Sequence, residues 1–195
     1  PGIINASSTS HRLVGHQSKT SNLQWENKYP DDDIVFEIGR INYDLIETLG
    51  IQIVEGRSFS KDYSTDSTKI ILNETAIALM NLKDPIGKVI GLWGNEMEII
   101  GIVKDFHFES LHEKVKPMFF IIEPERSENI VAKIQGENES ESIKNLQNFY
   151  ESFNPGFVFE YRFMDQNNRS QYQSEQRIAT LSQYFAGLAI VISCL

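Results

Sequence analysis

Between residues 34 and 40 apolar and polar positions alternate, with Ile34, Phe36 and Ile38 falling on one side. That period of two is the signature of a half-buried strand. The period then lengthens. In residues 42–49 Leu45, Ile46 and Leu49 share one side of a helix, and Gly50 stands where a left-handed C-terminal cap favours glycine. Residues 51–54 read as a second strand, closed by the turn-like Glu55-Gly56-Arg57-Ser58. The opening pattern predicts a β-α-β unit.

The middle of the chain has its own rhythm. Residues 69–72 form an apolar strand, and a helix follows with Asn73 as its N-cap and Ile77 and Met80 facing inward. The sequence Asp84-Pro85-Ile86-Gly87 predicts a turn. Strands 88–93 and 96–103 are then joined by Gly94-Asn95 as a tight hairpin.

After Pro117 the first style returns. Strands 118–122 and 129–135 flank a polar turn at 123–128. A helix over 139–153 carries Ile143, Leu146, Phe149, Tyr150 and Phe153 at helical spacing, and Asn154-Pro155-Gly156 ends it. Phe157, Phe159, Tyr161 and Phe163 alternate, predicting a strand whose aromatic face packs under that helix. The element order is roughly βαβ, an inserted βαββ, then ββαβ. It predicts an α+β fold with mixed sheets.

Composition narrows the function. Of 195 residues 41% are hydrophobic and 23% charged, which is ordinary globular usage and sets most of the chain apart from disordered sequences. A formal net charge of −9, with no basic stripe, zinc-finger spacing or RNA-binding aromatic motif, argues against nucleic acid as a partner. Cys194 is the single cysteine, so no intramolecular disulfide or thiolate-metal cluster can form.

Residues 165–177 are almost wholly polar, and hydrophobicity rises abruptly after Ile178 into the uncharged stretch 185–195. A spanning helix needs about 20 apolar residues. The sharp polar-to-apolar step is that of a chain crossing from water into a membrane, so 185–195 is expected to begin a transmembrane helix.

The best enzymatic candidate is Asp105-Phe106-His107-Phe108-Glu109. In an extended strand its two carboxylates and imidazole share one face, and His112 lies close by in sequence. The pattern lacks the second histidine of a two-histidine, one-carboxylate metal site, and a polar strand edge with Phe106 and Phe108 turned inward explains it better. His11 and His16 lie in a polar segment and read as surface residues. Asp31-Asp32-Asp33 lacks the glycine turn and final glutamate of a calcium loop. No Gly-x-Ser-x-Gly elbow and no phosphate-cradling Gly-x-x-x-x-Gly-Lys loop occurs. No catalytic, cofactor-binding or metal-binding residue is assigned, and no cofactor is expected.

Several segments resemble one family in order and spacing. Residues 44–59, containing Glu55-Gly56-Arg57, are similar to a helix-strand segment in the periplasmic domains of MacB-like and FtsX-like ABC transporter permeases. So are Ile71-Leu72-Asn73-Glu74-Thr75-Ala76, Asp84-Pro85-Ile86-Gly87-Lys88 and residues 99–111. The opening Pro1-Gly2-Ile3 also resembles the start of these domains. The resemblance implies a porter-like subdomain from residues 1–63 and 117–164, a sabre-like inserted lobe at 64–116, a stalk helix at 165–184 and a membrane entry at 185–195. It further implies a bacterial inner-membrane permease with this domain in the periplasm. The expected partners are a cytoplasmic ATP-binding-cassette protein, a second permease subunit forming a dimer, and a periplasmic adaptor or substrate. The competing expectation is the extracytoplasmic ligand-binding sensor domain of a membrane receptor; a soluble metal-dependent enzyme ranks third.

Overall fold

Met118-Phe119-Phe120-Ile121-Ile122 is apolar at every position, and all five side chains are buried. A strand of that composition is stable only where both of its faces are covered, and the fold is built around it. The computed structural model describes residues 2–11, 18–26, 28–29, 33–106, 114–136 and 139–164. The strands are β1 (Ile3–Thr9), β2 (Lys19–Thr20), β3 (Leu23–Gln24), β4 (Phe36–Ile41), β5 (Ile53–Gly56), β6 (Lys69–Asn73), β7 (Val89–Leu92), β8 (Asn95–Val103), β9 (Met118–Ile122) and β10 (Asn129–Ile134). The helices are α1 (Leu45–Leu49), α2 (Glu74–Met80) and α3 (Glu139–Phe153).

All ten strands join one mixed sheet in the order β10-β1-β4-β9-β6-β8-β7-β3, with β2 also on β4 and β5 also on β8. β9 runs parallel to β4 on one side and antiparallel to β6 on the other, and β6 is parallel to β8. The α+β class and mixed sheet follow the sequence pattern. Strands β6, β7 and β8 of the 64–116 segment continue the same sheet through the β6–β9 pairing.

Alternation along the central strands sorts the core into two clusters. Phe119 and Ile121 pack with Phe36, Ile38, Ile70 and Leu72 against Ala76 and Met80 of α2. Met118, Phe120 and Ile122 pack with Ile41 and Ile71 against Leu45 and Ile46 of α1. Burying a side chain of this size contributes roughly 1.5–3 kcal/mol, so β9 anchors both layers.

Local expectations met with different outcomes. Gly50 adopts φ 72° and its N–H caps α1, as the spacing predicts. Asn73 caps α2 by accepting from the Ala76 N–H. The β7–β8 hairpin turns on Trp93-Gly94, not Gly94-Asn95: Leu92 pairs with Asn95, and the positive φ angles fall at Trp93 and Gly94. Helix α3 keeps its boundaries, yet Ile143, Leu146 and Tyr150 are only half-buried while Phe149 and Phe153 are 64% and 70% exposed. The expected strand at 157–163 is not formed. No neighbouring strand completes a ladder with it among the described residues, and its rings instead contact one another and α3, Tyr150 tilted on Phe159 at 5.6 Å, Phe159 stacked on Tyr161 at 5.7 Å and Tyr161 edge-on to Phe163 at 5.6 Å.

The expected stalk at 165–184 and membrane entry at 185–195 lie outside the described residues, as do His16, Asp31, Asp32, His107, Phe108, Glu109, His112 and Cys194. Among the described residues no helix is long and apolar enough to cross a membrane.

Candidate functional site

Two of the segments singled out in the sequence, 71–76 and 99–106, meet where α2 begins. Asn73 ends β6 in extended backbone, and its Oδ1 accepts the N–H of Ala76 at 3.0 Å and that of Met118 at 2.9 Å. Its Nδ2 donates to the Lys116 carbonyl at 2.9 Å. One buried amide thereby caps a helix and fixes the start of β9.

Asp105 belongs to the same junction. Its Oδ1 accepts the Thr75 N–H at 3.0 Å and its Oδ2 the Thr75 hydroxyl at 2.6 Å, while the Asp105 N–H donates to Glu74 Oε2 at 3.0 Å. Both carboxylate oxygens are committed to a helix N-terminus, where anionic charge is favoured. Phe106 stacks on Phe120 at 5.9 Å and packs against the α1-side core. Lys104 N–H donates to the Gln52 carbonyl at 2.8 Å. These bonds give Asp105 a structural task.

A second polar centre lies at the other end of β5. Asp66 is fully buried and takes Arg57 Nη1 on Oδ2 at 2.9 Å and Nη2 on Oδ1 at 2.7 Å, with the Ser60 N–H on Oδ2 at 2.8 Å. Tyr63 covers the guanidinium at 4.1 Å. Burial pushes the Asp66 carboxyl up, but the bonds from Arg57 and Ser60 and the charges of Arg57 and Lys69 outweigh it and hold it below the usual carboxylate range. The same contact, above all the hydrogen bond to Asp66, raises Arg57 despite its own desolvation.

Among the described residues no three His, Cys, Asp or Glu side chains converge as a metal site. His11 sits beside Ser10, and Asp33 is exposed. The Asp66 pair and the threefold role of Asn73 escaped the sequence reading. Their only trace was an arginine and an aspartate on either side of a polar turn, and an asparagine where helix and strand meet.

Comparison with known proteins rests on the fold. No family model matches the sequence, and no curated protein matches it. The periplasmic region of MacB from Actinobacillus actinomycetemcomitans superposes with a TM-score of 0.60 at 16% identity, covering 88% of this chain and 77% of that one. The chain has the fold of the MacB periplasmic region. The extracellular domain of the noncanonical ABC-type transporter YknZ from Gram-positive bacteria matches at TM-score 0.55 and 13% identity, over 78% of this chain and 77% of that one. A domain assigned to a permease protein of Porphyromonas gingivalis matches at TM-score 0.52 and 15% identity, over 78% and 65%. At such identities the MacB likeness is one of architecture. The Asn73–Asp105 junction and the Arg57–Asp66 pair fasten this fold from within.

Proposed function

We propose that this chain is the extracytoplasmic domain of an ABC transporter permease subunit, a part that passes ATP-driven motion outward, contacts substrate or periplasmic partners, and performs no catalysis of its own. The observation that carries this reading is the MacB-type fold over 88% of the chain, joined to a set of family-like segments that prove to be structural fastenings. A lobe that must move as a body needs rigid joints more than reactive groups.

In this reading residues 1–63 and 117–164 form the porter-like subdomain, 64–116 the sabre-like lobe, 165–184 the stalk and 185–195 the entry into the bacterial inner membrane, with the domain itself in the periplasm. ATP hydrolysis belongs to a cytoplasmic ATP-binding-cassette partner, and the permease acts as a dimer in the membrane.

The mechanical part has its own test. Two or three glycines inserted within 165–181 of the full-length subunit would break the proposed stalk and so the path of force. Transport should fall while ATPase activity of the intact complex persists; transport at the unaltered rate would refute the coupling role.

A further inference from the structure

Trp93 occupies a position that its side chain disfavours. The two-residue turn between β7 and β8 has φ 51° at Trp93 and 84° at Gly94, a type I′ geometry that selects Asn, Asp or Gly at the first place. A bulky residue held at positive φ is an outlier that the surrounding contacts must maintain.

Those contacts run to strand β4 and to one short segment before it. The Trp93 ring lies 5.3 Å from the Arg40 guanidinium carbon, a cation–π distance, and its Nε1–H donates to Thr20 Oγ1 at 3.4 Å. Arg40 is held in turn by Glu123, Nε to Oε2 at 2.9 Å, and donates from Nη1 to Ser18 Oγ at 2.8 Å. Residues 18–24 form a strap between two parts of the sheet: β2 pairs with β4, Thr20 opposite Phe36, and β3 pairs with β7, Leu23 opposite Leu92. Each pairing is only two residues long. Leu23 is buried in the core, but around Thr20 pairings so short have little hold of their own.

We propose that Trp93 is a latch that fastens this strap, holding residues 18–24 against β4 and the β7–β8 turn while the ring sits over Arg40 and freeing them when it lifts. Trp93 is 41% exposed, so the ring lies at the surface and not in the core. The residue bearing the latch sits in the turn most easily relaxed by its loss, because an asparagine there would remove strain from the hairpin.

That opposition supplies the test. In Trp93→Asn, hydrogen exchange read by mass spectrometry on the described domain within the full chain should show the 18–24 amides exchanging at least tenfold faster, with β6, β8 and β9 unchanged and the hairpin retained. Thr20→Val keeps the size of the side chain but loses the acceptor of both the Trp93 Nε1–H and the Asn22 N–H, so, Asn22 itself aside, it should accelerate the same amides by a smaller factor. Unaltered exchange at 18–24 in Trp93→Asn would show that the ring only decorates the turn and would overturn the latch. Acceleration spread evenly over the whole sheet would overturn it too, because the residue would then be a general stabiliser.

Discussion

Arg57 reaches along the chain to Asp66 and closes a two-point contact, Nη1 to Oδ2 at 2.9 Å and Nη2 to Oδ1 at 2.7 Å, with the aspartate fully buried and the arginine side chain one-third exposed. Removing the acid partner strands a guanidinium beside the core; removing the base strands a buried carboxylate. Breaking a buried pair from one side costs about 3–5 kcal/mol, and the partial exposure of Arg57 reduces that when the acid is removed. Asp66→Asn should therefore lower unfolding stability by about 2–4 kcal/mol, and Arg57→Met by at least as much. Urea denaturation of both variants checks the ordering.

The same contact sets an acid limit. Asp66 holds its proton less tightly when folded than when unfolded, since its carboxyl lies below the ordinary range. Its stabilisation is complete above the unfolded value of about 3.9 and is lost as pH falls through the lower folded value. The difference in stability between wild type and Asp66→Asn should hold steady from neutral pH down to about 5 and shrink progressively below it. A difference independent of pH down to the acid transition would show that the charge of Asp66 is not what the pair uses.

Asn73 makes three hydrogen bonds from a side chain that is 1% exposed. Asn73→Ala loses the cap, worth about 1 kcal/mol, and leaves the buried Met118 N–H without its acceptor, a further cost of about 1–3 kcal/mol. Asn73→Asp keeps both acceptor bonds but sets a buried carboxylate oxygen against the Lys116 carbonyl to which Nδ2 had donated. Thermal unfolding should place both variants below wild type.

Gly56 and Gly101 face each other across β5 and β8. A Cβ on Gly101 would lie 2.3 Å from the Arg57 carbonyl oxygen, and one on Gly56 2.2 Å from that of Ile100. Backbone cannot step aside as a flexible side chain can, so Gly101→Ala should cost about 1–3 kcal/mol. Gly136→Ala, which meets nothing within 4 Å, should stay within about 0.5 kcal/mol of wild type. Chemical denaturation of the two variants provides the comparison.

How much of this was legible in the sequence depended on how local the determining physics is. Gly50 and Asn73 were readable because a cap is decided by the few residues around it. The hairpin was placed correctly and its turn shifted by one residue, since the register is set by Leu92 meeting Asn95 and nothing local marks a tryptophan as a positive-φ residue. Helix α3 was found from its period, but periodicity cannot tell whether a facing surface is present, and Phe149 and Phe153 stay exposed. The strand expected at 157–163 failed for a related reason: alternation prepares a strand, and a neighbour must still supply the ladder. Asp105 drew notice as a ligand candidate for its proximity to His107 and Glu109 in sequence. Its partner Thr75 is 30 positions away, a distance over which a single sequence carries no signal.

The central claim is that this domain belongs to an ABC transporter permease. The most direct measurement is retrieval of the full-length subunit, tagged at its C-terminus, from native membranes, followed by mass spectrometry of the proteins retained with it. Co-recovery of an ATP-binding-cassette protein at comparable abundance is the expected result; recovery of a signalling partner with no such protein would contradict the claim and favour a sensor.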